Sequence, residues 1–269
     1  MNVTPAPSQV ETQSADVSFH GSSDRPAPGK PIHATNAQSA PGRIVRTVDL
    51  RGPAGRLEAL VNEGGEGVEG VDCAPDAPFA ALVCHPHPLG GGTLHNKVVY
   101  HAMKALNDPA WGLGIPVLRF NFRGAGRSEG AHDGEAEAGD VLAALDWLEN
   151  EFKRPIVAAG FSFGAAMVLR ACCAKRKPPS VRALVALGLP VQAEGHAYEY
   201  SFLRDSVIPK LFISGDRDRF APVTQLKLIV DSSADPKRLQ LLPGADHFFT
   251  GQLELMQRAL SGWLKEQFS

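Results

Sequence analysis

The amino-acid sequence predicts one α/β domain built on a doubly wound, mostly parallel sheet of eight strands with helices on both faces. Short apolar runs alternate with segments whose apolar residues recur at helical spacing, and this alternation continues from Arg43 to the end of the chain. The composition agrees with one hydrophobic core, because 43% of the 269 residues are apolar and 21% are charged.

Residues 1–42 differ from the rest of the chain. They are dominated by Pro, Ser, Ala, Gln, Gly and Thr and show no periodic apolar positions. Such a segment cannot bury enough surface to offset the entropy of ordering, so we expect a disordered tail. A partner-binding arm and a misassigned translation start are the alternatives. The folded domain is expected to span residues 43–269.

Eight apolar runs are the candidate strands. The first two flank a Gly52-Pro53-Ala54-Gly55 turn and are expected to pair in antiparallel fashion. The later runs are almost continuously apolar, which is typical of parallel strands buried on both faces. The predicted strands are Ile44 to Leu50, Arg56 to Val61, Phe79 to Cys84, Pro116 to Phe122, Ile156 to Phe161, Val181 to Leu187, Pro209 to Ser214 and Arg238 to Leu242.

Five segments between and after these runs show helical periodicity. Val141, Leu142, Leu145 and Leu148, for example, recur at the spacing of one helix face. The predicted helices are Lys97 to Asn107, Glu135 to Phe152, Gly164 to Ala174, Val223 to Ser232 and Phe249 to Phe268.

Charge and cysteine content restrict the partners and the compartment. A formal net charge of −2 creates no field that would attract nucleic acid or an anionic membrane. Only four cysteines are present, and Cys172 and Cys173 are adjacent, which favours a reducing compartment. The first residues lack a signal-peptide pattern, and no segment approaches eighteen unbroken apolar residues. We therefore expect a cytoplasmic protein with no membrane partner.

The string Gly160-Phe161-Ser162-Phe163-Gly164 lies between a predicted strand and a predicted helix. A sharp turn of this kind places its central residue in strained φ/ψ, and its flanking positions must be nearly free of side chain. The string alone is common, but the strand before it and the helix after it favour a nucleophile turn. Ser162 is therefore the candidate nucleophile.

Here the sequence resembles the α/β-hydrolase superfamily, and the resemblance covers nearly everything after the tail. Cys84-His85-Pro86-His87-Pro88-Leu89-Gly90-Gly91-Gly92 resembles the small bacterial serine hydrolases whose third strand ends in His-Pro-His-Pro before a glycine run. Asn121-Phe122-Arg123-Gly124-Ala125-Gly126-Arg127-Ser128 resembles their loop after the fourth strand. Arg123 and Arg127 are expected to hold neighbouring backbone carbonyls there, with an anion clamp as the alternative.

The superfamily order of nucleophile, acid and histidine implies the other two members of a triad. Gly215-Asp216-Arg217-Asp218 follows a predicted strand and resembles the acid loop, so Asp218 matches the acid, with Asp216 as its rival. His247 follows the last strand in the position of the base. Such a histidine accepts the serine proton, and the carboxylate holds its tautomer.

An oxyanion hole requires two backbone N–H groups, one of them from Phe163 directly after the nucleophile. The second donor follows the third strand, and because proline has no N–H it is His87 or a residue from Leu89 onward. The resemblance implies His87. The His85-x-His87 pair also suggests a metal site, but no third ligand of clear spacing accompanies it, so we predict no metal. His85 is expected to form hydrogen bonds within its loop.

The resemblance implies an enzyme that needs no cofactor and transfers an acyl group to water through an acyl-enzyme. Carboxylic esters of small acyl groups are the predicted substrates, because only Gly188 to Ile208 stands where related enzymes insert a lid. The predicted substrate-binding residues are Leu89, Phe161, Phe220 and Phe248. Thioesterase, acyltransferase and peptidase activity, or a silent protein that binds a ligand or partner, remain open. We expect a monomer or homodimer.

Overall fold

An eight-stranded sheet forms the centre of the protein in the computed structural model, which describes residues 44–64, 78–109, 113–174, 178, 180–193 and 196–268. Its strands are β1 (Val45–Gly52), β2 (Gly55–Asn62), β3 (Ala80–Cys84), β4 (Val117–Phe120), β5 (Ile156–Phe161), β6 (Val181–Leu187), β9 (Lys210–Gly215) and β10 (Lys237–Leu242). Their spatial order is β1-β2-β4-β3-β5-β6-β9-β10. A separate two-stranded hairpin contains β7 (Gln192–Ala193) and β8 (His196–Ala197).

Most neighbouring strands of the large sheet are parallel. The exceptions are β1 with β2, which close on the predicted Gly52↔Gly55 turn, and β2 with β4. All other pairs, from β4 with β3 to β9 with β10, are parallel. This confirms the predicted fold class. The carboxyl ends of six strands therefore meet at one edge of the sheet, where α/β proteins assemble their sites.

Helices cover both faces of the sheet, as the alternating pattern predicts. The helices are α1 (Lys97–Asn107), α2 (Glu137–Phe152), α3 (Phe163–Cys173), α4 (Val223–Ser232) and α5 (Leu253–Phe268). One hydrophobic cluster joins the sheet to α1 and α5, and a second joins it to α2, α3 and α4.

Two helices begin later than the periodicity predicts, and local hydrogen bonds explain one of them. Asp133 Oδ1 accepts the amide protons of Glu135 and Ala136 at 2.8 and 2.7 Å, so the chain is capped before it becomes helical at Glu137. Before α5, Phe249 has a φ of 53°, which interrupts the predicted start of that helix.

The segment between β6 and β9 contains no α-helix in its described residues, 188–193 and 196–209. It holds the small hairpin and one 3-10 helix, Ser201–Asp205. This agrees with the expectation of one short helix and no sizeable lid. Among the described residues, no helix is long and apolar enough to cross a membrane.

Three cysteines are buried thiols that form no disulfide: Cys84, Cys172 and Cys173. Burial raises the pKa values of the Cys84 and Cys172 thiols well above their usual range. These side chains therefore pack as small apolar groups. The predicted tail and Cys73 lie outside the described residues.

Candidate active site

A sharp turn joins β5 to α3, and Ser162 lies at its centre. Ser162 has φ 54° and ψ −120°, a positive φ that a residue with a side chain keeps only when its surroundings hold it. A Cβ on Gly160 would lie 2.4 Å from the carbonyl carbon of Gly164, and a Cβ on Gly164 would lie 2.5 Å from the carbonyl oxygen of His85. The two glycines thus permit the close approach that this turn requires.

Three side chains form one hydrogen-bonded chain at the carboxyl edge of the sheet. His247 Nε2 lies 3.0 Å from Ser162 Oγ, and His247 Nδ1 lies 2.8 Å from Asp218 Oδ2. When the carboxylate accepts the Nδ1 proton, Nε2 carries the lone pair and can accept a proton from the serine. Asp218 and His247 are only 4% and 5% exposed, so water competes little for these bonds.

Asp218 and Asp216 occupy different environments. Asp218 Oδ1 accepts the amide protons of Phe220 and Ala221 at 2.8 and 3.2 Å, and Oδ2 contacts His247 and accepts a longer hydrogen bond from the Ser214 hydroxyl at 3.4 Å. Asp216 is exposed and accepts the amide proton of Gly244 at 2.7 Å. The structure therefore brings Asp218, and not Asp216, to His247.

The loop that carries His247 is held by its neighbour Asp246. Asp246 Oδ1 accepts the amide protons of Phe248 and Thr250 at 3.0 and 2.9 Å. The hydrogen bond from Thr250 is the main reason that the pKa of Asp246 lies below its usual range. Aromatic rings then enclose the imidazole, with the Phe220 centroid 4.6 Å from it and the Phe248 centroid 5.2 Å from it.

The loop after β3 carries His87 beside the start of α3. The His87 carbonyl accepts amide protons from Gly90 and Gly92 at 3.1 and 3.0 Å, which closes a 3-10 turn. The His87 ring packs edge-on against the Phe163 ring, with centroids 5.0 Å apart. The two predicted oxyanion donors are thus neighbours at the same cleft.

His85 lies beneath this loop and is fully buried. Its Nε2 accepts the amide proton of Phe122 at 2.9 Å, and its Nδ1 donates to the carbonyl of Pro86 at 2.6 Å. Burial lowers the pKa of His85 to about 4, against the opposing effect of the Pro86 hydrogen bond. The imidazole is therefore neutral, and both of its nitrogens have partners inside the protein.

A cleft of about 740 Å³ opens above Ser162. Leu89, Phe220 and Phe248 line it, and Leu89 is 78% exposed. Phe161 does not line the cleft, which corrects the prediction that it binds substrate. It is the last residue of β5 and fully buried, and its ring packs beneath His247 with centroids 5.0 Å apart.

The sequence profile of a family described as "Alpha/beta hydrolase domain" matches residues 82–259, which include the turn, both loops and the last strand. The chain belongs to the α/β-hydrolase family.

Relatives of this α/β hydrolase cover most of its length. A protein of Rickettsia prowazekii described as uncharacterized is 37% identical over 199 residues, which are 71% of this chain and 80% of that protein. An α/β serine hydrolase homologue from Coxiella burnetii is 34% identical, with a TM-score of 0.68 over 81% of this chain and 97% of that one.

A third relative is a Xanthomonas campestris protein described as a member of the α/β serine hydrolases without lid. It is 30% identical, with a TM-score of 0.67 over 82% of this chain and 94% of that chain. The family and these neighbours support hydrolase activity for this chain.

Several residues that line the cleft of the hydrolase are absent from the sequence predictions: Asn96, His132, Asp133, Gly134, Glu135 and Tyr198. Most of them belong to the loop between β4 and α2. One signal could have located that loop, because it follows the carboxyl end of a parallel strand, where such sites form.

Arg123 in the same loop has a different partner from the predicted backbone carbonyls. Its guanidinium donates three hydrogen bonds to Asp140 of α2, at 2.7, 3.0 and 3.2 Å, and its amide donates to the same carboxylate. Both side chains are buried, so the pair fixes the loop against α2 and Arg123 is not available to bind an anion.

Proposed function

We propose that this protein is a serine hydrolase that cleaves carboxylic esters of small acyl groups. The observation that carries the proposal is the continuous hydrogen-bonded chain from Ser162 through His247 to Asp218. A serine hydroxyl is a weak nucleophile until a neighbouring base accepts its proton, and this arrangement supplies that base and a carboxylate that orients it. Residues 43–269 form the proposed catalytic domain.

In the first half of the proposed reaction, Ser162 Oγ attacks the ester carbonyl while its proton passes to His247 Nε2. Asp218 holds the Nδ1 proton and stabilises the imidazolium that results. The amides of His87 and Phe163 hold the negative oxygen of the tetrahedral intermediate. The intermediate then expels the alcohol, which takes the proton from His247 and leaves the acyl group on Ser162.

In the second half, a water molecule attacks the acyl-enzyme. His247 accepts its proton and returns a proton to Ser162 Oγ as the carboxylic acid leaves. The same steps would hydrolyse a thioester, so a matched pair of acetyl ester and acetyl thioester distinguishes the two substrate classes.

The cytoplasm is the proposed location. Buried Cys84, Cys172 and Cys173 form no disulfide, which is typical of proteins in a reducing compartment.

The test of the proposal is labelling with a fluorophosphonate probe together with hydrolysis of p-nitrophenyl acetate. We expect stoichiometric labelling of the parent protein, no labelling of Ser162→Ala, and a turnover about 10⁴ to 10⁶-fold lower in Ser162→Ala and His247→Ala. The free energy of unfolding of Ser162→Ala should change little, because Ser162 is half-buried on the wall of the cleft. Near-parental ester hydrolysis by Ser162→Ala would show that the nucleophile is another residue.

A further inference from the structure

His132 lies in the loop between β4 and α2 and contacts both residues of the proposed oxyanion hole. Its ring centroid is 4.6 Å from that of His87 and 5.3 Å from that of Phe163, in both cases edge-on. With the contact between His87 and Phe163, the three rings form a closed aromatic cluster on the cleft wall. Edge-to-face pairs of this kind stabilise packed rings beyond the apolar area that they bury.

A buried carboxylate holds His132 in this position. Glu137 of α2 is fully buried, and its Oε1 lies 2.7 Å from His132 Nδ1, a close polar contact without the alignment of a hydrogen bond. The same carboxylate accepts the amide protons of Asp133 and Gly134, both at 3.0 Å. Glu137 therefore fixes the backbone that follows His132 as well as its ring.

Different contacts hold the two proposed oxyanion donors. Phe163 is the first residue of α3, so the helix sets the direction of its amide. His87 lies in the loop after β3, where its carbonyl accepts the amide protons of Gly90 and Gly92 and its ring packs against the rings of Phe163 and His132. A change in this ring packing is therefore expected to shift the His87 peptide and the direction of its N–H group.

We propose that His132, held by Glu137, is a positioning residue that orients the His87 peptide for the oxyanion of the transition state. The inference rests on the proposed function, because only a hydrolase that forms a tetrahedral intermediate needs this donor. It assigns a role to a loop that the triad does not use. It also explains why a histidine, a carboxylate and two aromatic rings converge beside the nucleophile.

The test compares His132→Ala with His132→Phe. Removing one oxyanion donor lowers kcat about 10² to 10³-fold. A donor that is misdirected but still present should cost less, so His132→Ala is expected to lower kcat about tenfold with little change in KM. His132→Phe keeps the ring edge against His87 and should restore most of the loss.

The affinity of a transition-state analogue is the second measurement, because a purely structural role of His132 would not change it. A trifluoromethyl ketone forms a tetrahedral adduct with the serine and places its oxyanion in the hole. Its affinity should fall in His132→Ala by the same factor as kcat and recover in His132→Phe. The matched control is His101, a half-buried histidine of α1 bonded to Gln257 at 3.1 Å and outside the cleft, so His101→Ala should keep the parental kcat and analogue affinity.

The outcomes distinguish a failure of the proposed function from a failure of the positioning role alone. If the parent protein is not labelled by the fluorophosphonate, both fail together. If the parent is labelled but His132→Ala keeps its kcat, or loses kcat with no loss of analogue affinity, the positioning role alone is overturned. Should His132→Ala not fold, His132→Leu replaces it, because leucine fills the space without a ring edge; a His132→Leu variant as active as His132→Phe would then overturn the role.

Discussion

At the scale of single residues, Asp216 and Asp218 carry the same side chain after β9 but have different surroundings. Asp218 is buried and divides its oxygens between backbone amides and His247 Nδ1. Asp216 is exposed, and its carboxylate accepts the amide proton of Gly244. The carboxylate that touches the imidazole is therefore the one expected to support catalysis.

Asparagine at each position tests this assignment. Asp218→Asn places an amide where the imidazole needs an acceptor and so favours the wrong tautomer, which should lower kcat by roughly 10³ to 10⁴-fold. Asp216→Asn keeps an oxygen that can accept from Gly244 and should leave kcat within about twofold of the parent. Ester hydrolysis under saturating substrate measures both. A large loss in Asp216→Asn with a small one in Asp218→Asn would transfer the role.

His85 links the stability of the protein to pH. Burial lowers its pKa to about 4, and the ordinary value is 6.5, so the unfolded chain takes up the proton first as the pH falls. The contribution of His85 to stability is therefore present above pH 6.5 and is lost as the pH falls from there toward 4. Between pH 7 and pH 5 this loss amounts to about 2 kcal/mol.

Urea unfolding of the parent and of His85→Gln at the two pH values checks this expectation. Glutamine offers an acceptor and a donor but does not titrate. The difference between the free energies of unfolding at pH 7 and pH 5 should be smaller in the variant by about 2 kcal/mol, whatever the variant's own stability. An identical pH dependence in both proteins would rule out His85 as its source.

At the scale of elements, the turn between β5 and α3 depends on the end of β3. The carbonyls of Cys84 and His85 lie against Gly164, so the helix starts in direct contact with the loop that carries His87. The end of β3, the turn at Ser162 and the loop that carries His87 therefore form one packed unit, and this unit sets the distance between the nucleophile and the proposed oxyanion donors.

Gly164→Ala should push this unit apart. Its Cβ would lie 2.5 and 2.6 Å from two carbonyl oxygens of the backbone, which cannot rotate away as a side chain could. We expect a loss of about 1–3 kcal/mol in the free energy of unfolding, together with a large loss of esterase activity. Denaturant unfolding and steady-state kinetics measure the two effects.

Gly262→Ala provides the matched control. Gly262 lies within α5, and a Cβ there meets no atom within 4 Å, so alanine should stabilise the protein by about 0.5–1 kcal/mol and leave activity unchanged. Equal effects of the two substitutions would contradict the close-approach argument.

At the scale of the whole molecule, the cleft is open because the segment between β6 and β9 is short. Its described residues form a hairpin of two short strands and one 3-10 helix, and among them only Tyr198 lines the cleft. Leu89 and Phe248 are 78% and 50% exposed, so the apolar wall faces solvent and encloses little of a long acyl chain.

We therefore expect the selectivity to favour short acyl chains. Each methylene buried in an apolar site contributes about 0.8 kcal/mol, or about fourfold in kcat/KM, and this gain should end near six carbons where the chain leaves the cleft. A series of p-nitrophenyl esters from acetyl to dodecanoyl measures the profile. Rates should also show no jump when the ester exceeds its solubility, since no lid has to open. A maximum at ten or more carbons would contradict the open cleft.

Much of the fold could be predicted from sequence because its signals are local. Apolar runs and helical spacing located eight strands and five helices, and α1 and α4 begin and end at the predicted residues. The predicted starts of α2 and α5 were wrong, because hydrogen-bonded caps and turns determine where these helices begin and the spacing of apolar residues does not reveal them. The three residues of the hydrogen-bonded chain were also predicted, Ser162 from the strand and helix on either side of it, and Asp218 and His247 from the resemblance to the order of these residues in the superfamily.

Other properties arise only from tertiary structure. Phe161 and Phe163 flank the same serine with the same side chain, yet the strand directs Phe161 into the core and the helix leaves Phe163 at the cleft. The sequence alone identified residues such as Ser162, which lies between a predicted strand and a predicted helix. The partner of Arg123 and the approach of His132 to His87 were decided by packing, because residues distant in the chain meet only where strands and helices bring them together.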